Sequence, residues 1–104
     1  MTISKDEQIE KISNLYKILG DKTRLKILFC LLNKKCCVGE IVKELGLSQS
    51  LISHQLKVLR QDNLATTIKI KNRVYYTLAD EHIEMLISTA KTHILERLND
   101  EETI

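Results

Sequence analysis

The spacing of apolar residues changes twice along this chain of 104 residues, and few folds accommodate both changes in so short a length. Up to residue 61 apolar side chains recur at helical intervals, from Ala65 to Leu78 they alternate, and from Asp80 the helical interval returns. Residues 6–19 carry Ile9, Ile12, Leu15, Tyr16, Ile18 and Leu19 as one stripe, and Gly20 is a natural stop. Asp21 or Thr23 then caps a second helix predicted through Leu32, with Leu25, Ile27, Leu28, Phe29, Leu31 and Leu32 inward. After the break at Asn33-Lys34-Lys35, a short helix over Val38 to Leu45 ends at Gly46, and Ser48 caps a fourth running to about Gln61. In that fourth helix Leu51, Ile52, Leu56, Val58 and Leu59 are expected inside.

The alternating stretch reads as two strands, Ala65 to Ile70 and Arg73 to Leu78, joined by Lys71-Asn72, where Asn tolerates the positive φ of a two-residue turn. In the last helix Ile83, Ile87, Ala90, Ile94 and Leu98 form one apolar stripe. His82, Leu86, Thr89, His93 and Glu96 form a second face, so one face suits the helix's own domain and the other a partner. The tail over 99–104 is acidic and expected to fray. The fold class is thus mainly α with a small β-hairpin, a single domain over 1–104.

Composition narrows the classes further. No apolar run approaches the roughly 20 residues needed to cross a membrane, and the first ten residues are polar and acidic rather than a signal peptide. Three cysteines, an odd number in a chain without an export signal, point to a reducing, cytoplasmic setting. The formal net charge of +2 conceals a strong asymmetry: residues 34–73 hold eight Lys/Arg against three Asp/Glu, residues 74–104 two against seven. A basic middle suggests a surface that meets a polyanion.

Within that basic middle, Val38 to Arg60 has the form helix, glycine turn, helix. The second helix opens with Ser48, Gln49, Ser50, Ser53, His54, Gln55 and Lys57, polar side chains able to reach base edges or phosphates from a major groove. Lys57 and Arg60 extend the positive surface, and the hairpin that follows carries Lys69, Lys71 and Arg73 near its tip. A basic hairpin after a helix-turn-helix describes a winged helix, with double-stranded DNA as partner.

The last helix carries a different chemistry. Asp80, His82, His93 and Glu96 are all good ligands for a borderline divalent metal such as zinc, and cobalt accepts the same set. His82 and His93 stand eleven positions apart, three turns plus about 20°, so they share a face. They are also roughly 16 Å apart along the axis, too far for one ion with bonds of roughly 2 Å. A metal reading therefore requires a homodimer, with two antiparallel helices bringing Asp80 and His82 of one against His93 and Glu96 of the other. The alternative is a solvated helix face on which Asp80 is simply the N-cap. An enzyme is disfavoured: no nucleophile, base and orienting group occur at mechanistic spacing, and there is no glycine-rich phosphate loop.

The segments LGDKTRLKILFCL, CVGEIVKELGLSQSLISHQLKVLR and RVYYTLADEHI together resemble the ArsR/SmtB family of metal-responsive repressors, over about residues 12–98. The resemblance implies a homodimeric winged helix-turn-helix whose first and last helices form the interface. It also implies that the dimer binds operator DNA without metal and is released when metal binds. The family's zinc-sensing branch has an Asp-x-His-x10-His-x2-(His or Glu) pattern on its last helix, which Asp80, His82, His93 and Glu96 match position by position. A second family site uses thiolates near the start of the first helix of the helix-turn-helix. Cys37 and Glu40 match part of it, but the N-terminal arm supplies no Cys or His, and Cys36-Cys37-Val38-Gly39 stands where related sensors have CVC. Cys36 and Cys37 leave open a thiol-oxidation or soft-metal response as the alternative. Cys30, in an apolar helix, reads as a small core residue.

Overall fold

A computed structural model describes residues 2–102. Five helices and one hairpin follow in the order α1 (Lys5–Leu19), α2 (Lys22–Cys30), α3 (Val38–Leu45), α4 (Gln49–Gln61), β1 (Ala65–Ile70), β2 (Arg73–Leu78) and α5 (Glu81–Glu102). Side-chain caps set the helix starts. Ser4, Asp21 and Ser48 accept from the backbone N–H groups of Glu7, Arg24 and Leu51, and Asp80 Oδ1 from that of Ile83. Gly46 closes α3 at φ 67°, a conformation that costs glycine little. Asn33 and Asn63, at φ 62° and 60°, turn the chain after α2 and α4.

The core lies where α2, α3 and α4 meet the root of the hairpin. Ile27, Leu28, Leu31, Ile41, Ile52, Leu56, Leu59 and Leu64 are sealed from solvent, with Ile83 and Ile87 of α5 closing one side. Each large aliphatic side chain so buried contributes roughly 1.5–3 kcal/mol of transfer free energy. β1 and β2 pair antiparallel with Ala65 opposite Leu78 and Ile70 opposite Arg73. Cys36, in the α2–α3 connection, adds a bridge to β2: its N–H donates to the Tyr76 carbonyl at 3.0 Å and its carbonyl accepts from Tyr76 N–H at 2.7 Å.

Several expectations require correction. α2 ends at Cys30, not Leu32, because Leu31 to Asn33 turn to reach the Cys36 bridge. Phe29 is exposed, with Lys91 from α5 placed 6.0 Å from its ring centre. Leu51 is also exposed, because it lies on the outer side of the first turn of α4. The alternation leaves open which face of the hairpin is inner: Ile68 stands opposite Tyr75 and Ile70 opposite Arg73, and both isoleucines are exposed on the face turned from the core. α5 runs through Glu102, and residues 103–104 of the acidic tail lie outside the described residues.

The molecule is less compact than its length predicts. Its radius of gyration is 15.8 Å, against roughly 13 Å for a compact domain of this size. The excess comes from α1 and α5, which project from the core. Ile9, Ile12 and Tyr16 on α1, and Met85, Ile94, Leu95 and Leu98 on α5, are at least half exposed.

Candidate nucleic-acid interface and metal ligands

α4 presents its N-terminal turns outward. Ser48 caps the helix and lies 3.4 Å, oxygen to oxygen, from Ser50. Gln49, Ser50, Ser53, His54 and Lys57 are all exposed on the same element. Gln55 is not among them. It is half-buried, and its Oε1 accepts a hydrogen bond of 2.9 Å from Arg24 Nε on α2. The turn between the strands places Lys71 at φ 47° and Asn72 at φ 68°, the pattern of a tight hairpin. Lys69, Lys71 and Arg73 are exposed along this tip, and the Tyr75 hydroxyl beside Arg73 raises its guanidinium above an already high range. A cleft lined by Ser53, Lys57, Arg60, Gln61 and Tyr76 separates α4 from the hairpin. Two cations and hydroxyl or amide donors line one channel there, which suits a phosphate backbone.

The four proposed metal ligands fall into two pairs. Asp80 Oδ1 caps α5 and lies 3.7 Å from His82 Nδ1, with both side chains more than half exposed. His93 and Glu96 share a shallow cleft with Ser88, Thr89 and Thr92 one helical stretch further on. Among the described residues no three His, Cys, Asp or Glu side chains converge on one point. His82 and His93 both border an open apolar groove of about 790 Å³ between α1 and α5, whose other walls include Tyr16, Leu19, Leu25 and Leu86. The donor set suits zinc or cobalt, but one chain offers it only as two halves.

The three cysteines differ in burial. The Cys36 thiol lies 3.6 Å from the Cys30 carbonyl, inside the core, and burial pushes its pKa up. Burial, helped by the Glu44 carboxylate, pushes Cys30 up to about 12. Cys37 is half-buried at the N-cap of α3, where its backbone N–H donates to Glu40 Oε1 at 3.0 Å. That bond holds the Glu40 carboxyl below its ordinary range. Glu40 reaches both cysteines, lining a cleft with Cys36 and bonding Cys37, although among the described residues no three His, Cys, Asp or Glu side chains group as a metal site. Sequence reasoning missed the Arg24–Gln55 link, because nothing local marks two residues 31 positions apart as partners.

This arrangement of helix-turn-helix and basic hairpin defines a winged-helix DNA-binding protein. Among the described residues no helix is long and apolar enough to cross a membrane. A solved homodimeric winged helix-turn-helix DNA-binding domain from Mycobacterium bovis superposes with a TM-score of 0.85, covering 96% of this chain and 93% of that one, at 23% identity, which speaks to fold alone. HlyU, a transcriptional regulator from Vibrio vulnificus, superposes at 0.76 with 38% identity, over 84% of this chain and 91% of its own.

Residues 21–67 match the model of the bacterial regulatory protein, arsR family. The SmtB homolog of Synechocystis, a transcriptional repressor, is 30% identical over 86% of this chain and 68% of its own length. The arsenical resistance operon repressor of Bacillus subtilis is 34% identical over 85% of each. HlyU of Vibrio cholerae, a transcriptional activator, is 40% identical over 70% of this chain and 68% of its own. The chain belongs to the ArsR/SmtB family of transcriptional regulators, which are DNA-binding proteins and not enzymes.

Proposed function

We propose that this protein is a metal-responsive repressor: a homodimer joined through α1 and α5 that holds operator DNA and releases it when zinc, or a similar divalent ion such as cobalt, is bound between the α5 helices. The observation that carries this reading is the division of Asp80, His82, His93 and Glu96 into two exposed pairs on one helix face, beside an uncovered apolar groove. Antiparallel α5 helices would set Asp80 and His82 against the partner's His93 and Glu96, giving two equivalent sites per dimer. A divalent ion bound there supplies a charged cross-link between protomers. The repressor relatives, one named for arsenical resistance, support control by a metal or metalloid.

On the DNA side, Ser48, Gln49, Ser50, Ser53, His54 and Lys57 of each α4 would enter a major groove, with Lys71 and Arg73 on the adjacent backbone. Two such helices must stand roughly 34 Å apart, one turn of DNA. Because α5 also packs on each core through Ile83 and Ile87, a fixed angle between the α5 helices fixes the spacing of the α4 helices. A coupling of about 3 kcal/mol between the two sites corresponds to about 150-fold weaker operator binding.

His93→Ala tests this directly. The variant should bind operator DNA as the parent does and keep it when zinc is added, as read by fluorescence anisotropy. Zinc-driven release that persists in the variant would sink the assigned ligands. Release by oxidant alone, with zinc inert, would instead favour the response through Cys36 and Cys37.

A further inference from the structure

We propose that Arg24 is a positioning residue for DNA reading: it holds the amide of Gln55 in one orientation and so decides what the middle of α4 can present to a base. The inference rests on the DNA-binding role of α4. A guanidinium has donors only. The atom of Gln55 that faces Arg24 Nε at 2.9 Å must therefore be the amide oxygen, which fixes the orientation of the group. The amide NH2 remains to donate. A glutamine that reads adenine uses both ends of its amide, accepting from N6 and donating to N7. With its oxygen directed at Arg24, Gln55 is disposed instead as a donor, toward a guanine or thymine acceptor.

The setting of Arg24 makes the bond a joint between elements. It occupies the first turn of α2, where its backbone N–H donates to the capping carboxylate of Asp21 at 3.0 Å. Its neighbour Leu25 lines the groove between α1 and α5. One side chain thus ties the element bordering that groove to α4. The link is part-buried, where a lost partner costs more than at the surface. Ile52, Leu56 and Leu59 fix the depth of α4 through packing, but no apolar contact fixes the rotation of a polar amide.

The test uses the full-length protein and a duplex selected by the wild type from a randomised 30-base-pair library, with a scrambled duplex as reference. Arg24→Ala should lose about tenfold in affinity for the selected duplex and less than twofold for the scrambled one. In a Gln55→Ala background the same Arg24→Ala change should cost nothing further. Arg24→Lys, which keeps a donor, should recover part of the loss. If Arg24→Ala fails to fold, as judged by thermal melting, Gln55→Ala with Arg24 intact should still lose selected-duplex affinity while melting like the parent. Equal losses on both duplexes, or an undiminished cost of Arg24→Ala in the Gln55→Ala background, would overturn the proposal in favour of a phosphate contact. A wild type that selects no sequence would overturn the reading of α4 as a base-reading helix instead.

Discussion

At the level of single residues, the thiols show how burial sets chemistry. Cys30 is pushed from an ordinary 9.0 to about 12, so the folded protein holds a proton that the unfolded chain releases above pH 9. A group raised in this way stabilises the fold fully below pH 9 and loses that contribution as pH climbs toward 12. Melting temperature should therefore fall across that window. The slope assignable to this one proton is at most about 1.4 kcal/mol per pH unit, and Cys30→Ala should flatten it. The ordering of the thiols also predicts labelling. Cys37, half-exposed at a helix start, should react with a thiol reagent in the native state, whereas Cys30 and Cys36 should wait for unfolding. The sequence marked Cys30 as a core residue through its apolar neighbours. It did not separate Cys36 from Cys37, since adjacent residues in an extended segment point opposite ways and only the Tyr76 bridge decides which turns inward.

Among the elements, the hairpin tip is where shape and charge compete. Lys71 adopts φ 47°, a region that costs a residue with a side chain roughly 1 kcal/mol relative to glycine. Lys71→Gly should leave the melting temperature equal or higher, yet weaken DNA binding and reduce the slope of log affinity against log salt by about 1. Unchanged affinity would remove Lys71 from the interface. Element boundaries over α3, α4 and the strands were readable because Gly46, Ser48 and Lys71-Asn72 each carry a local conformational demand. The face of the hairpin was not. Ile68 and Ile70 are apolar, but the two-residue turn fixes the register, and Ala65 and Tyr76 take the inner side. The early stop of α2 was likewise hidden, because Leu31 is buried whether it ends a helix or begins a turn.

For the whole molecule, extent is informative. The dimensions of 49 × 44 × 22 Å describe a flat body with two arms, and the exposed apolar residues cluster on those arms. A charge placed there should keep the fold and lose the partner. Ile12→Glu is expected to sediment as a monomer with little change in helical content, and to bind a two-half-site duplex far more weakly than the parent. A dimer that survives this change would move the interface away from α1. The candidate metal ligands were legible only in part. Their identity and face follow from the spacing along α5, but among the described residues they stand as two pairs and no three such side chains converge.

The Cys36–Tyr76 bridge has a consequence for timescales. It gives β2 a hydrogen-bonded neighbour on its second edge near the root, while among the described residues the Lys71-Asn72 end has none. Local opening should then be graded along a single strand. Amide hydrogens of Cys36 and Tyr76 should exchange with deuterium at rates approaching those of the core, and those near the turn far faster. The hairpin would behave as a lever clamped at its base, free to adapt its tip to a groove while its root keeps the geometry of the body.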